Sequence, residues 1–205
     1  MAIAGKITVI TGTDTGVGKT VFTAALVSHL RRSGCNAVAL KPFSSGSRAD
    51  ARLLRAVQDK ALTLDEINPF HFQEPLAPLV AARKHRRKVS LARVLSFIRG
   101  HQKHRDHVLV EGAGGLLTPL GEGFSLLDIV NKLNAKVIIV APNKLGVINH
   151  TLLTWRAVHR NVQVVLMGQQ SRDASAKTNG AILRELMAPC PVFDFPFLGT
   201  KKPRP

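Results

Sequence analysis

The sequence contains no tyrosine and one tryptophan, and its aromatic content rests on nine phenylalanines. Cysteine is equally scarce. Cys35 and Cys190 lie far apart with no metal-ligand spacing, which excludes a cysteine metal site and leaves two buried free thiols as the expectation. No apolar run approaches membrane-spanning length. The N-terminus lacks the charged-then-apolar layout of a signal peptide, since Ala2-Ile3-Ala4-Gly5 leads straight into a strand. These absences point to a cytoplasmic protein with no membrane partner. Acidic residues are also few, 13 against 29 lysines and arginines, giving a net charge of +16. Such a balance raises nucleic acid or anionic surfaces as partners. The charge gathers in Arg83-Lys84-His85-Arg86-Arg87-Lys88, in His101 to His107 and in the tail Lys201-Lys202-Pro203-Arg204. Aromatic residues do not interleave these runs, so base stacking is not expected. They read as solvated surface, with nucleic acid only an incidental partner at low salt.

What is present is organised around Lys6 to Thr20, KITVITGTDTGVGKT. An apolar run through Ile7, Val9 and Ile10 breaks into Gly12, Gly16 and Gly18 and closes on Lys19-Thr20. That pattern reads as a buried strand, a phosphate-binding loop and a helix. Glycines let successive N–H groups wrap an anion, and the helix brings its positive N-terminal dipole to the same point. Lys19 is expected on the β/γ-phosphates and the Thr20 hydroxyl on Mg²⁺. Five residues separate Gly12 from Gly18, where the standard pattern has four.

Further along, helices are expected at Val21–Arg32 (with Phe22, Ala25, Leu26 and Leu30 on one face, ended by Gly34), Ala51–Gln58, Leu91–Ile98, Val147–Val158 and Ala181–Met187. Strands are expected at Ala37–Leu40, His107–Val110, Val137–Val140, Val162–Met167 and, at an edge, Val192–Phe195. Phe43 to Ser47 reads as a polar turn, and Leu62 to Ala82, with prolines at 69, 75 and 78, as an irregular connection. Apolar strands alternating with helices argue a doubly wound, mostly parallel α/β sheet. No internal repeat or domain-splitting linker is present, and 205 residues suit one ATP-binding domain over 1–205 with a basic tail from about 200. Such sheets bind ligands beyond the carboxyl ends of their strands. Lys41-Pro42 and Glu111-Gly112-Ala113-Gly114-Gly115 both fall there, and Glu111 reads as a Mg²⁺ partner or a capping acid. Asp50 reads as a metal ligand, and a helix N-cap explains it almost as well.

With these pieces placed, the chain resembles the dethiobiotin synthetases, P-loop enzymes of biotin biosynthesis. The motifs are Gly12-Thr13-Asp14-Thr15-Gly16-Val17-Gly18-Lys19-Thr20, Lys41-Pro42 with Ser45-Gly46, Asn68-Pro69-Phe70 with Glu74-Pro75, Glu111 to Gly115 with Pro119-Leu120, and Lys144 to His150. They follow the family's order over nearly the whole chain, and the long phosphate loop is itself the family form. The resemblance implies an ATP-dependent cyclo-ligase joining diaminopelargonic acid, CO₂ and ATP into dethiobiotin, ADP and phosphate. Lys41, Lys19 and Thr15 are its implied catalytic residues. Asp14, Thr15, Gly16, Val17, Gly18, Lys19, Thr20, Val21 and Glu111 would hold the nucleotide, and Thr20, Asp50 and Glu111 Mg²⁺. Thr15, Lys41, Ser45 and Gly114 would meet the diamine and carbamate. Gly146, Val147, Ile148 and Asn149 would hold the substrate carboxylate in a partner's site, implying a homodimer. The base-reading loop departs from the family, carrying Gly168-Gln169-Gln170-Ser171 where an asparagine is usual, so Gln169 or Gln170 is the candidate. A tyrosine that some relatives place near the substrate tail is missing or replaced. The competing reading is a partitioning or positioning ATPase of the same P-loop branch that binds DNA or membrane through its basic surface.

Overall fold

The computed structural model describes residues 5–158, 161–171 and 173–199; the basic tail 200–205 and the start Ala2-Ile3-Ala4 lie outside them. In chain order the elements are β1 (Lys6–Gly12), α1 (Lys19–Arg32), β2 (Ala37–Leu40), β3 (Phe43–Ser45), α2 (Ala49–Ala56), α3 (Leu64–Ile67), β4 (Phe70–Phe72) and α4 (Pro78–Lys84). Then come α5 (Leu91–Gln102), β5 (His107–Gly115), β6 (Pro119–Gly121), β7 (Phe124–Ser125), α6 (Leu126–Leu133) and β8 (Lys136–Pro142). The last are α7 (Val147–Val158), β9 (Val162–Met167), α8 (Asn179–Leu186) and β10 (Val192–Phe195).

Six strands form one sheet in the order β10-β9-β8-β1-β5-β2, and every pairing in it is parallel. The expected α/β sheet is therefore present. Its central strands are buried on both faces, which is why Val137–Val140 and Val108–Val110 read as unbroken apolar runs. β1 sits at the centre, with β5 and β2 on one side and β8, β9 and β10 on the other, so the loop after β1 emerges where the chain's crossovers diverge.

Several expectations are corrected. Phe43 to Ser47 is not a plain turn. Its first half is β3, paired in parallel with β4. Leu62 to Ala82 is not irregular: it folds into α3, β4 and α4, with α3 opened by a capping box in which Thr63 and Glu66 exchange hydrogen bonds. The short pair packs through phenylalanines, with Phe43 and Phe70 ring centroids 5.0 Å apart and Phe124 and Phe97 around them. α1 buries Phe22, Thr23, Ala24 and Val27, while Ala25, Leu26 and Leu30 are only partly covered. β5 runs on through Gly115, so Glu111 stands within a strand and not at a cap. α2 begins at Ala49 with Arg48 as its N-cap, so Asp50 sits inside the first turn and is no N-cap. α6 was not anticipated. Both cysteines are free but half-exposed rather than buried.

The edge strand β2 has its outer backbone groups capped by side chains and by α3. Arg31 donates to Ala37 O at 3.2 Å, and Lys41 N donates to Ile67 O at 3.0 Å. Between them, the buried Gln58 carboxamide accepts from Ala39 N at 2.7 Å and donates to Ala39 O at 3.0 Å and Leu54 O at 2.8 Å. Gln58→Leu strands a buried donor and acceptor on Ala39, each costing about 1–3 kcal/mol. Urea unfolding of that variant is expected to show a loss of about 3 kcal/mol. A loss under about 1 kcal/mol would mean water replaces the amide.

Candidate functional site

β1 delivers its loop directly into α1, whose N-cap is Gly18 in the left-handed region (φ 99°) with no side chain capping it. The first turn of α1 carries no acidic residue either. Its first amides thus have no acidic side chain of their own helix turn competing for them, which leaves them open to an anion. Thr13 N is tied to Val140 O at 3.1 Å, and the Lys19 ammonium curls back onto Asp14 O at 2.8 Å.

Lys41 and Glu111 meet because of strand register. Leu40 pairs with Val110, so the residues that follow them, Lys41 and Glu111, stand side by side at the carboxyl edge. Glu111 Oε1 accepts from Lys41 Nζ and from the Thr20 hydroxyl, both at 2.6 Å. Lys41 Nζ also lies 3.1 Å from Asp50 Oδ2. Lys41 is 5% exposed and Glu111 1%. Burial works against the Lys41 charge, but Glu111 and then Asp50 more than offset it, holding the amine above an ordinary lysine. Lys19 goes the other way: burial first, and then the Lys41 charge, bring it down to about 8.

That depression has a sign that can be tested. In the free protein Lys19 loses its proton as pH rises through about 8, and a polyphosphate binds the protonated amine. ADP affinity is expected to be level below that point and to weaken by up to about tenfold per pH unit above it, in titrations from about pH 7 to 9.5. Level affinity across the range would mean that Lys19 keeps its proton to about pH 9.5 or does not meet the phosphates.

One cleft of about 610 Å³ gathers Thr15, Gly16, Gly18, Lys19, Thr20, Val21, Lys41, Ser45, Asp50, Glu111 and Gly114. The Ser45 hydroxyl is buried without a protein partner, so its hydrogen bond is left for a ligand. Pro75, Leu76, Ala77 and Pro78 form an apolar wall of this cleft that the sequence reading did not assign. Glu111 Oε2 is likewise buried and unpartnered. With the Thr20 hydroxyl and Asp50 beside it, this is a set of hard oxygens that suits Mg²⁺. Two carboxylates fall short of a cluster of three, and none of that size occurs among the described residues.

Other expected residues lie outside the cleft lining. Asp14 and Val17 shape the loop from behind, the first through its carbonyl on Lys19. Gln169 spends its amide on Met167 O at 2.8 Å, and Gln170 is exposed at the same carboxyl edge. Gly146, Ile148 and Asn149 stand at the opening of α7 outside the lining of the cleft that holds Lys41, and Val147 is buried. Unforeseen is a link between these two regions: buried Asn179 donates to Asn143 Oδ1 at 2.9 Å, and Asn143 donates to Ala176 O at 3.1 Å. Residues 83 to 88 are all exposed, with Arg83 on Glu122 and Lys84 and His85 on Glu74. No helix among the described residues is long and apolar enough to cross a membrane.

A family model described as an AAA domain matches residues 6–192. The ATP-dependent dethiobiotin synthetase of Anaeromyxobacter sp. (strain Fw109-5) is 46% identical over 153 residues, covering 73% of this chain and 69% of that protein. The synthetase of Bacillus velezensis is 36% identical over 187 residues, covering 86% and 80%. That of Thermodesulfovibrio yellowstonii is 35% identical over 204 residues, covering 88% and 85%. Among solved structures, a nucleotide-binding protein in complex with ADP from Archaeoglobus fulgidus superposes with a TM-score of 0.53 at 15% identity, covering 96% of this chain and 83% of that one. That likeness concerns the fold alone.

Proposed function

The chain belongs to the ATP-dependent dethiobiotin synthetase family, ligases of biotin biosynthesis, and on that premise we propose how its residues carry the reaction. Diaminopelargonic acid, CO₂ and ATP are its substrates; dethiobiotin, ADP and phosphate are its products. One substrate amine takes up CO₂ as a carbamate and releases a proton. A carbamate oxygen then attacks the γ-phosphate and ADP departs. The neighbouring amine attacks the activated carbonyl, phosphate leaves, and the cyclic urea closes.

The observation that carries the assignment is the meeting of Lys19 and Lys41 in one cleft with Thr20, Asp50 and Glu111. Phosphorylating a carbamate gathers negative charge on two anions at once, and fixed cations in a dry site are the natural stabilisers. Lys19 and the loop amides hold the β- and γ-phosphates. Lys41, kept charged by Glu111 and Asp50, stands where the carbamate meets the γ-phosphate. Thr15 and the unpartnered Ser45 hydroxyl bond the carbamate and diamine, and Gly114 admits the substrate closely. The Pro75–Pro78 wall suits the substrate's apolar carbons. Thr20, Glu111 and Asp50 would hold Mg²⁺, which when bound neutralises phosphate charge. Gln169 or Gln170 would read the base.

The opening of α7 at Gly146–Asn149 would bind the substrate carboxylate of a second copy, which makes the working form a homodimer. None of these residues lines the cleft within one chain, which supports this reading. The protein would act in the cytoplasm, as one catalytic domain. The test is phosphate release with MgATP and bicarbonate, with and without diaminopelargonic acid, alongside mass detection of the product. Diamine-dependent release with a product of dethiobiotin mass is expected. Hydrolysis indifferent to the diamine but stimulated by DNA or lipid would favour the ATPase-switch reading.

A further inference from the structure

Asn68 belongs to no site described above, yet it is 1% exposed and every hydrogen-bonding position of its side chain is engaged. Its Nδ2 donates to Lys41 O at 2.7 Å and, at greater length, to Pro42 O at 3.5 Å. Its Oδ1 accepts from the Ser44 hydroxyl at 2.8 Å and from Arg48 Nε at 3.1 Å. A carboxamide offers two N–H groups and two lone pairs, so nothing on it is left over for a ligand.

The partners matter because of what they carry. Lys41 and Pro42 are the exit of β2. Arg48 is the N-cap of α2, the helix whose first turn bears Asp50. Arg48 is itself fixed, donating to Leu64 O at 3.0 Å, Asn68 O at 2.9 Å and Asp65 Oδ1 at 2.8 Å. The Lys41 ammonium and the Asp50 carboxylate, 3.1 Å apart, therefore come from two segments that a single buried amide grips at once. A charged group pointed at a transition state must be held to a fraction of an ångström, and this amide is where the backbone of one partner is registered against the helix of the other.

We infer that Asn68 is a positioning residue for phosphoryl transfer, setting the Lys41 ammonium and the Asp50 carboxylate in register through its bonds to Lys41 O and Arg48. This rests on the role proposed for Lys41 above. It predicts a split that plain structural support does not give: the phosphate loop is untouched, so ADP still binds, while turnover falls.

The experiment uses Asn68→Ala and Asn68→Asp in the full chain, with turnover expressed per ADP-binding site measured by calorimetry. Asn68→Asp keeps the acceptor for Arg48 and loses the donor to Lys41 O. Leu183→Ala, fully buried in α8 and outside the cleft lining, serves as a destabilising control. Both Asn68 variants are expected to lose roughly 10²-fold in kcat per site, with ADP affinity held within about threefold; Leu183→Ala is expected to keep its turnover per site. Turnover per site within about threefold of the parent, or ADP affinity falling in step with turnover, overturns the inference. A parent protein that makes no dethiobiotin would instead sink the synthetase reading. The crystal structure of Asn68→Ala then decides the matter: Lys41 Nζ drawn away from Asp50 supports the register role, and an unchanged Lys41–Asp50 pair overturns it.

Discussion

Lys41→Met is expected to abolish synthesis and destabilise the protein together, and the two losses are separable by a second substitution. For turnover, removing one preorganised donor from a developing charge costs about 10²–10³-fold. For stability, the Glu111 side chain is fully buried, and Lys41 is the cation on its Oε1. Without that cation an uncompensated carboxylate is left inside, a change worth about 3–5 kcal/mol in other buried pairs. Adding Glu111→Gln removes the stranded charge and keeps an amide oxygen for the Thr20 hydroxyl, which now bonds Glu111 at 2.6 Å. The double variant should therefore recover most of the urea midpoint and none of the turnover. A single variant as stable as the parent would mean the carboxylate simply takes up a proton. A double variant that regained turnover would remove Lys41 from the chemistry.

Gly12→Ala is expected to cost more nucleotide affinity than any other single methyl added to the loop. A Cβ at Gly12 would stand 2.7 Å from Val17 Cγ2, 2.8 Å from Asp14 O and 2.9 Å from Lys19 Nζ. The last two atoms are the pair whose hydrogen bond curls the lysine over the loop, so the methyl sits at the centre of the curl. Overpacking of this kind costs about 1–3 kcal/mol in stability. Where the loop must recover its shape to hold the phosphates, the same strain is drawn from ADP affinity, a weakening of roughly 5- to 150-fold. Gly16 makes the comparison, since it has φ 74° and nothing within 4 Å of an added Cβ. Gly16→Ala meets only left-handed backbone strain, about 1–2 kcal/mol. Titration of both variants with ADP checks the order; a Gly12→Ala protein binding within about threefold of the parent would show that the loop yields freely.

The parts of this molecule that were legible in its sequence are those whose signal is local. The apolar strands, the glycine loop and Lys19-Thr20 announce themselves through period, composition and spacing. The Lys41–Glu111 contact was foreseeable only as far as both residues end apolar runs. Their contact depends on the register of β2 against β5, which no local pattern encodes. Asn68 stands in one of the family motifs, yet its role is not legible there: before a proline an asparagine looks like a turn residue, and burial of its amide is a tertiary fact. Gln58 reads as the polar end of a helix and is instead fully buried. β3 and β4 are three residues each, too short for alternation to register. The helix at Leu126–Leu133 carries its own mark in the sequence, Ser125 three residues before Asp128, whose carboxylate accepts from the Ser125 amide at 2.8 Å in the manner of a capping box. The +16 charge says little about the fold.

The capping of β2 by Arg31, Gln58 and Ile67 bears on how copies of this protein meet. An uncovered strand edge is a template on which another chain can lay itself down, in a crowded cell or during synthesis. Here the outward-facing groups of Ala37, Ala39 and Lys41 are already engaged, so sheet-to-sheet polymerisation through this side is closed. Any specific assembly there must use side chains, which can discriminate partners, and not main chain, which cannot. Gln58 is thus a safeguard of solubility as well as a stabiliser, and its loss should show in concentrated solution as aggregation before it shows as inactivity.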